Sequence, residues 1–276
     1  MSFSNILDRI PVLLCFDANY ANYAAVASYS AQKNTQTPLI FYWLTTAESR
    51  DRAEKLKDHL HGFGMEIRLL TVDLFQISQW KTGYHFTSAN YLRLFAPDLL
   101  SEEKKVIYID CDTIVLTDLR DLYDTPLADS FFAGVVDEFG GVASKVPFAP
   151  EDKYINSGVL LMDVNRLRND GFFERVVVLY QQYEYQITLA DQCLINKYAE
   201  GKKLLLDPKW NRQLFARDLK EEEFMKFTNT QNSSILHFFG EVKPWHSSCS
   251  PCIAKLWWEY ASQLEIPDLQ PIQLAL

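Results

Sequence analysis

Two aspartates separated by one residue follow a run of apolar residues near the middle of the chain. Asp110 and Asp112 come directly after Val106–Ile109 in the stretch VIYIDCDTIV. Because residues i and i+2 of an extended strand point to the same face, the two carboxylates project together. In a buried site they would repel each other unless a cation lay between them. Hard divalent cations prefer oxygen ligands, so the pair predicts a site for Mn²⁺ or Mg²⁺.

The same pair of aspartates leaves two other interpretations open. It can cap the turn or helix that begins in TDLRDLYD, which requires no ligand. VIYIDCDTIV also resembles the first motif of haloacid-dehalogenase-type phosphatases, in which the first aspartate is the nucleophile and the second is an acid/base. Those enzymes need a downstream acidic pair, and the sequence contains neither an Asp-Asp nor a Gly-Asp dipeptide. A phosphatase is therefore kept as an alternative function.

A second group of polar residues lies far downstream, in the stretch LHFFGEVKPWH at 236–246. His237 lies on a predicted short strand, where its imidazole would be a further ligand for Mn²⁺. Gly240 lets a backbone N–H approach a ligand closely, and Lys243 supplies positive charge for a diphosphate oxygen. Taken separately, His237 could be an ordinary histidine in a loop and Lys243 an ordinary surface lysine, and neither would then need a ligand. The whole string instead favours a phosphate-binding turn beside a metal.

Alternating apolar runs and helical patterns predict the elements that must position these side chains. Strands are predicted at residues 12–16, 39–44, 67–72, 106–109, 131–136, 158–164, 203–207 and 235–239. Helices are predicted at residues 19–34, 49–62, 88–100, 172–185, 189–199 and 252–264. This alternation indicates an α/β fold with a mainly parallel mixed sheet flanked by helices. In such sheets ligands bind beyond the carboxyl ends of the strands, where Asp110 and Asp112 are expected.

The composition limits the classes of function and the domain organisation. The chain has 276 residues, is 48% hydrophobic and shows no repeat or flexible linker. We expect a single domain over residues 1–276, with 246–276 as a C-terminal closing helical segment. A net charge of -9 argues against a nucleic-acid partner.

Several features of the sequence predict a cytoplasmic protein. No stretch approaches the roughly 20 apolar residues of a membrane span, and no signal peptide is predicted. Five cysteines, an odd number, fit buried thiols in a reducing compartment better than disulfides. The sequence CSPC at 249–252 has the spacing of a redox motif, but too few residues follow it for such a fold. No basic residue follows Lys255, so any membrane association is expected to be peripheral at most, at the inner face.

Six blocks in matching order resemble the retaining glycosyltransferases of family 8, which include bacterial lipopolysaccharide galactosyl- and glucosyltransferases. The blocks are FDANYANYAAVASYS, ANYLRLFAPDLL, VIYIDCDTIV, YINSGVLLMDV, LADQCLIN and HFFGEVKPWH, and the resemblance extends over residues 12–258. The resemblance implies a GT-A-type nucleotide-sugar-binding fold and a UDP-hexose donor, with galactose or glucose as the sugar. It implies transfer to a hydroxyl of a glycan or lipid-linked glycan, in the synthesis of cell-surface polysaccharide or lipopolysaccharide.

The resemblance also implies a role for individual residues. Mn²⁺ or Mg²⁺ would be held by Asp110, Asp112 and His237. The donor would be bound by Asp17, Asn19, Tyr20, Arg93, Asp110, Asn156, Gly240 and Lys243. Catalysis at the meeting point of donor and acceptor would involve Gln192, Asp191 and Asp137.

Several of these residues also have interpretations that need no ligand. Asp17 can cap the following helix, Tyr20 can belong to the core, and Asn156 can serve a turn. Asp191 and Gln192 can lie on a solvated helix face. Besides the phosphatase, a non-catalytic nucleotide-sugar binding protein is the remaining alternative. For a transferase, attack on the same face of the sugar is preferred to a covalent intermediate, because an amide such as that of Gln192 is a poor nucleophile.

Overall fold

A seven-stranded mixed sheet forms the centre of the computed structural model, which describes residues 9–82, 87–217, 219–228, 234–267 and 269–273, with the backbone alone at 138 and 140. Its strands are β1 (Ile10–Phe16), β2 (Leu39–Thr46), β3 (Glu66–Val72), β4 (Val106–Ile109), β6 (Phe132–Val136), β7 (Ile155–Met162) and β8 (Lys203–Leu205). They are ordered β3-β2-β1-β4-β7-β6-β8. Only β7 runs against both of its neighbours, β4 and β6, while the other pairs are parallel. The predicted mainly parallel mixed sheet is confirmed.

Helices cover both faces of this sheet. They are α1 (Ala21–Asn34), α2 (Arg50–His61), α3 (Ala96–Leu99), α4 (Arg120–Tyr123), α5 (Glu138–Ala143), α6 (Val164–Asn169), α7 (Phe172–Tyr183), α8 (Ala190–Tyr198), α9 (Glu221–Thr228) and α10 (Pro251–Gln263). Successive side chains of β1 point alternately into two hydrophobic cores. Val12 and Leu14 pack in the core that contains α1, α2 and α10. Leu13 and Cys15 pack in the core that contains α6, α7 and α8. Burial on both faces explains why β1 and β2 read as continuous apolar runs.

A second, small sheet places the downstream polar group beside the aspartate pair. Its strands are β5 (Thr113–Val115), β9 (Arg212–Gln213) and β10 (Ile235–His237), in the order β5-β10-β9. β10 runs antiparallel to β5, so His237 lies opposite Thr113, and the N–H of Phe238 donates to the carbonyl of Asp112 at 3.0 Å. β5 and β9 were not predicted, because two or three residues carry no readable periodicity.

Three of the differences between predicted and observed elements affect segments that carry predicted site residues. β7 begins at Ile155, three residues before the predicted start, because Asn156 and Ser157 are buried in the strand rather than exposed in a turn. The predicted helix at 88–100 is a 3₁₀ helix (Ser88–Phe95) followed by α3, with Pro97 in the first turn of α3. The first helix begins at Ala21 rather than at residue 19.

The five cysteines are free thiols. Burial raises the pKa of Cys249 to about 12, so the thiolate that redox chemistry needs is scarce in the CSPC stretch. Within the described ranges, no helix is long and apolar enough to span a membrane.

Candidate active site

A cavity of about 450 Å³ opens beyond the carboxyl ends of β1 and β4. Its position is the one expected for a ligand site in an α/β sheet. The predicted site residues that line it are Asp17, Tyr20, Arg93, Asp110, Asp112, Asp137, Asn156, Asp191, Gln192, His237, Gly240 and Lys243. Asn19 is exposed and lines a different cavity, with Asn22 and Arg52. The fold therefore brings every predicted site residue except Asn19 to one place.

Asp110, Asp112 and His237 form a compact group at one end of this cavity. One ligand atom from each lies within 4.8 Å of the others. Nε2 of His237 is 3.4 Å from Oδ1 of Asp112 and 3.8 Å from Oδ2 of Asp110. Two carboxylates and an imidazole nitrogen are a donor set that suits Mn²⁺, and carboxylates also suit Mg²⁺. The residues present thus fit the divalent cation that the sequence predicts.

Gly158 on β7 makes room for the imidazole of His237. A Cβ at this position would lie 2.2 Å from Cε1 and 2.6 Å from Nδ1 of His237. Contacts this short do not occur between real atoms, and the ring has little freedom to move because Nδ1 is hydrogen-bonded to Asn211 at 3.0 Å. Only glycine at 158 is compatible with the observed position of His237. The sequence offered no sign of this contact, since the two residues lie on strands far apart in the chain.

Arg93 ties Asp110 to a third carboxylate. Its Nη2 donates to Oδ1 of Asp110 at 3.0 Å, and its Nε lies 3.1 Å from Oδ2 of Asp191. The guanidinium also stacks 4.0 Å above the ring of Tyr108, whose hydroxyl donates to Asp110. Burial raises the pKa of Asp191 to about 6, against the opposing charge of Arg93. Tyr108 was missed in the sequence, although it lies two residues before Asp110 and so shares its face of the strand.

Lys243 reaches Asp112 from the turn that follows β10. Its Nζ donates to Oδ2 of Asp112 at 2.5 Å and to the carbonyl of Phe238 at 2.9 Å. Gly240 starts this turn with a φ of +85°, a conformation that favours glycine. Burial alone would raise the pKa of Asp112, but the charge of Lys243 and the hydrogen bond from its Nζ hold the pKa of Asp112 well below its usual range. Asp112 is therefore ionised and ready to bind a cation at neutral pH.

Two contacts hold the turn at KPWH (residues 243–246) in place. The backbone N–H of Lys243 donates to Nδ1 of His246 at 3.0 Å. Burial and the nearby Lys243 lower the pKa of His246, which keeps this ring neutral and able to accept. Trp245 stacks on Tyr23 of α1 with ring centroids 3.5 Å apart. The turn is thus anchored to the body of the fold.

A buried amide network also lines the cavity. Nε2 of Gln192 and Nδ2 of Asn156 each donate to Oδ2 of Asp137 at 3.0 Å. Oε1 of Gln192 accepts from the backbone N–H of Ser157 at 2.8 Å. The readings of Gln192 and Asp191 as residues on a solvated helix face are wrong, since both are buried.

Asp17 and Tyr20 border the cavity at the end of β1. Oδ1 of Asp17 accepts from the backbone N–H of Asn19 at 2.9 Å, and Oδ2 accepts from the hydroxyl of Thr87 at 3.1 Å. The carboxylate therefore shapes the turn before α1, but it does not cap that helix, whose N-cap is Tyr20 without a side-chain cap hydrogen bond. Tyr20 is partly exposed at the cavity and packs edge-on against Trp245 at 6.0 Å.

Three phenylalanines form an aromatic cluster, here called the aromatic rim: Phe139 and Phe239 line the cavity, and Phe215 packs against both. The ring centroids of Phe215 and Phe239 are 4.1 Å apart, and Phe139 lies within 5.7 Å of both. Phe139 and Phe215 are 57% and 50% exposed, which is unusual for such large apolar side chains. Sequence analysis did not identify this rim, because its members come from three separate segments.

Comparisons with known proteins agree with this geometry. A sequence model of glycosyl transferase family 8 matches residues 11–249. The general stress protein A of Bacillus subtilis (strain 168) is 29% identical over 250 residues, covering 86% of this chain and 87% of its own. The glycosyltransferase GlyA of Streptococcus pneumoniae serotype 4 is 28% identical over 220 residues, and the match spans 80% of this chain but only 30% of GlyA.

A solved structure shares the fold. The galactosyltransferase LgtC, crystallised in complex with donor and acceptor sugar analogs, superimposes with a TM-score of 0.80. The match covers 94% of this chain and 98% of LgtC, at 24% identity.

The fold is thus the GT-A fold, and the protein is a glycosyltransferase. More particularly, the chain belongs to glycosyl transferase family 8. This assignment selects the transferase over the phosphatase alternative.

Proposed function

We propose that the protein is a retaining, metal-dependent hexosyltransferase that moves galactose or glucose from a UDP-sugar to a hydroxyl of a glycan acceptor. The observation that carries this proposal is the meeting of Asp110, Asp112, His237 and Lys243 at one end of a cavity. The first three would hold Mn²⁺ or Mg²⁺, which when bound acts as a Lewis acid on the departing diphosphate. Lys243 would stabilise the same developing negative charge.

The donor would lie across the cavity between two groups of residues. Asp17 and Tyr20 border the side assigned to uridine, where Tyr20 offers an aromatic face to the base. Arg93, Asn156, Asp191 and Gln192 surround the side assigned to the hexose. Asn19 would reach the ribose only from the edge of the donor cavity, because it lines the separate cavity beside Asn22 and Arg52.

The acceptor would enter over the aromatic rim. Aromatic side chains pack against the apolar faces of sugar rings, and Phe139, Phe215 and Phe239 present such a surface beside Asp137. This surface suits a glycan or lipid-linked glycan. We place the activity in the synthesis of cell-surface polysaccharide or lipopolysaccharide, in the cytoplasm, with at most peripheral association at the inner face of the membrane.

Retention is proposed to follow from attack on the same face of the sugar. The bond from the anomeric carbon to the diphosphate breaks, the acceptor oxygen bonds to that carbon, and its proton passes to the diphosphate. Gln192 is held at both ends of its amide, by Ser157 and Asp137, which suits a fixed dipole beside the sugar better than a nucleophile.

Mass spectrometry of the intact protein tests this mechanism. After incubation with UDP-hexose and Mn²⁺, rapidly quenched samples should contain only unmodified protein. A covalent hexose adduct on Gln192 or Asp191 that forms at least as fast as turnover would contradict same-face attack.

Nucleotide binding and sugar transfer test the function as a whole. UDP should raise the thermal unfolding temperature when Mn²⁺ is present and have much less effect with a chelator. UDP-galactose and UDP-glucose should then be screened against a panel of glycans, with products detected by mass spectrometry. Metal-dependent UDP binding without hydrolysis or transfer of any UDP-hexose would support the non-catalytic binding alternative instead.

Replacing Lys243 with methionine should weaken binding of the diphosphate but not of the nucleoside. Loss of one charge-assisted contact corresponds to a rise of about 10- to 100-fold in the dissociation constant of UDP. Isothermal titration with UDP and with uridine measures both effects, and the exposed Lys226→Met variant on α9 is the matched control. Equal weakening of UDP and uridine would contradict a role on the diphosphate.

A further inference from the structure

Asn211 is a buried residue beside the metal-binding group and was not among the predicted site residues. It ends the 3₁₀ helix Pro208–Asn211, just before β9, and is 1% exposed. Its Oδ1 lies 3.0 Å from Nδ1 of His237, and its Nδ2 donates to Oδ1 of Asn156 at 2.9 Å. Asn211 therefore links the imidazole of His237 to the amide network formed by Asn156, Asp137 and Gln192.

The orientation of the Asn156 amide is fixed by its other neighbours. The backbone N–H of Gly158 donates to Oδ1 of Asn156 at 2.9 Å, and a backbone N–H can only donate. At the other end of the amide, Nδ2 of Asn156 donates to the carboxylate of Asp137. The atom of Asn156 that faces Asn211 is consequently an oxygen.

This orientation determines the position of the proton on His237. Because Asn156 presents an oxygen, Asn211 must present its nitrogen there and its own oxygen to His237. An amide oxygen only accepts, so Nδ1 of His237 carries the proton. In the neutral ring, Nε2 then has a free lone pair, which lies 3.4 Å from Asp112 and 3.8 Å from Asp110.

We propose that Asn211 is a positioning residue that accepts the Nδ1 proton of His237 and so orients the ring with Nε2 directed toward the two aspartates. A divalent cation held by Asp110 and Asp112 would meet the Nε2 lone pair without any rearrangement of the ring. Partners of this kind on metal-binding histidines fix the tautomer and typically change metal affinity by about 10- to 100-fold. The inference rests on the proposed function in so far as it assigns the metal to this site.

Nitrogen NMR of the metal-free protein tests the tautomer directly. Protein labelled with ¹⁵N-histidine is measured at mildly alkaline pH, and a His237→Gln sample identifies the signals of His237 among the five histidines. We expect a protonated Nδ1 and an unprotonated Nε2 on His237. A wild-type ring protonated at Nε2 would overturn the proposal, and this measurement needs no variant at position 211.

Two variants of Asn211 separate positioning from packing. Asn211→Leu removes the acceptor and should return His237 toward the Nε2–H tautomer that free histidine prefers. It should also lower the affinity for Mn²⁺ in the presence of UDP by about 10- to 100-fold, measured by electron paramagnetic resonance. Asn211→Asp loses the donor to Asn156 but keeps an acceptor for Nδ1–H of His237, so it should retain the Nδ1–H form and keep a higher Mn²⁺ affinity than Asn211→Leu. Equal loss of affinity in both variants with an unchanged tautomer would overturn the proposal.

Failure of the inference and failure of the proposed function give different results. The NMR experiment contains neither metal nor nucleotide. The expected tautomer in a protein that transfers no sugar would support the orientation by Asn211 and refute the proposed function alone.

Discussion

Replacing Asp112 with asparagine should lower kcat by about 100- to 1,000-fold and abolish the Mn²⁺-dependent stabilisation by UDP. Asp112 is a candidate metal ligand and also the partner of Lys243, so the variant loses a ligand charge and leaves the lysine without its carboxylate. Interactions that stabilise charge in the transition state have effects of this size. Steady-state kinetics with a UDP-hexose, together with thermal shift with and without Mn²⁺, measures both changes.

The Asp129→Asn variant is the control for this prediction. Asp129 is fully exposed and 3.4 Å from Arg166, far from the cavity lining. The lowered pKa of Asp112 adds a second readout, because its ionised form stabilises the native state above the ordinary carboxyl pKa of 3.8. The wild type should therefore lose its stability advantage over Asp112→Asn as the pH falls through the acid range. An Asp112→Asn enzyme with normal kcat and normal metal dependence would rule out the proposed site.

Substituting alanine for Gly158 should remove metal-dependent nucleotide binding although Gly158 has no side chain to bind anything. The new Cβ would occupy the space of the His237 ring, 2.2 Å from Cε1, and force the imidazole away from the aspartates. We expect a loss of stability of about 1–3 kcal/mol from overpacking and a fall of about 100-fold or more in Mn²⁺ affinity. Urea unfolding and Mn²⁺ titration in the presence of UDP measure these separately.

Gly134→Ala is the matched control, since Gly134 lies on the neighbouring strand β6. A Cβ there would lie 2.9 Å from Cδ1 of Ile155 and 3.0 Å from Cδ2 of Leu160, both ends of flexible aliphatic side chains. This variant should lose a similar amount of stability yet keep its metal affinity. If both variants bound Mn²⁺ as well as the wild type, the observed position of His237 could not be the one that binds metal.

Much of the fold could be predicted because its signals are local. Long buried strands such as β1 and β2 carry unbroken apolar runs, and the bounds predicted for the helices α2 and α10 lie within one residue of those observed. The parallel sheet then places Asp110 and Asp112 at its carboxyl edge, as expected from their position after β4. The grouping of the aspartates with His237 was also predicted, from the polar string around it and from family resemblance.

The remaining parts of the site could not be predicted because they depend on contacts between distant segments. β5 and β9 exist only as partners of β10, and Asn211 gains its place from that pairing. The start of β7 was placed too late because Asn156 and Ser157 are polar, yet hydrogen bonds to Asp137 and Gln192 allow them to be buried in a strand. Polar residues inside a strand were in this case a sign of the site rather than of a turn.

The pairing of β10 with β5 has a consequence for the nascent chain. Every strand of the seven-stranded sheet has been synthesised once Leu205 has been added, whereas β10 follows about 30 residues later. Until β10 is present, the backbone N–H and C=O groups along the edge of β5 that pair with it have no strand partner. This edge includes the apolar residues Ile114 and Val115. A polypeptide that ended before residue 235 would have an unpaired edge on β5, which favours aggregation. It would also lack His237, so its metal site would be incomplete and the protein inactive.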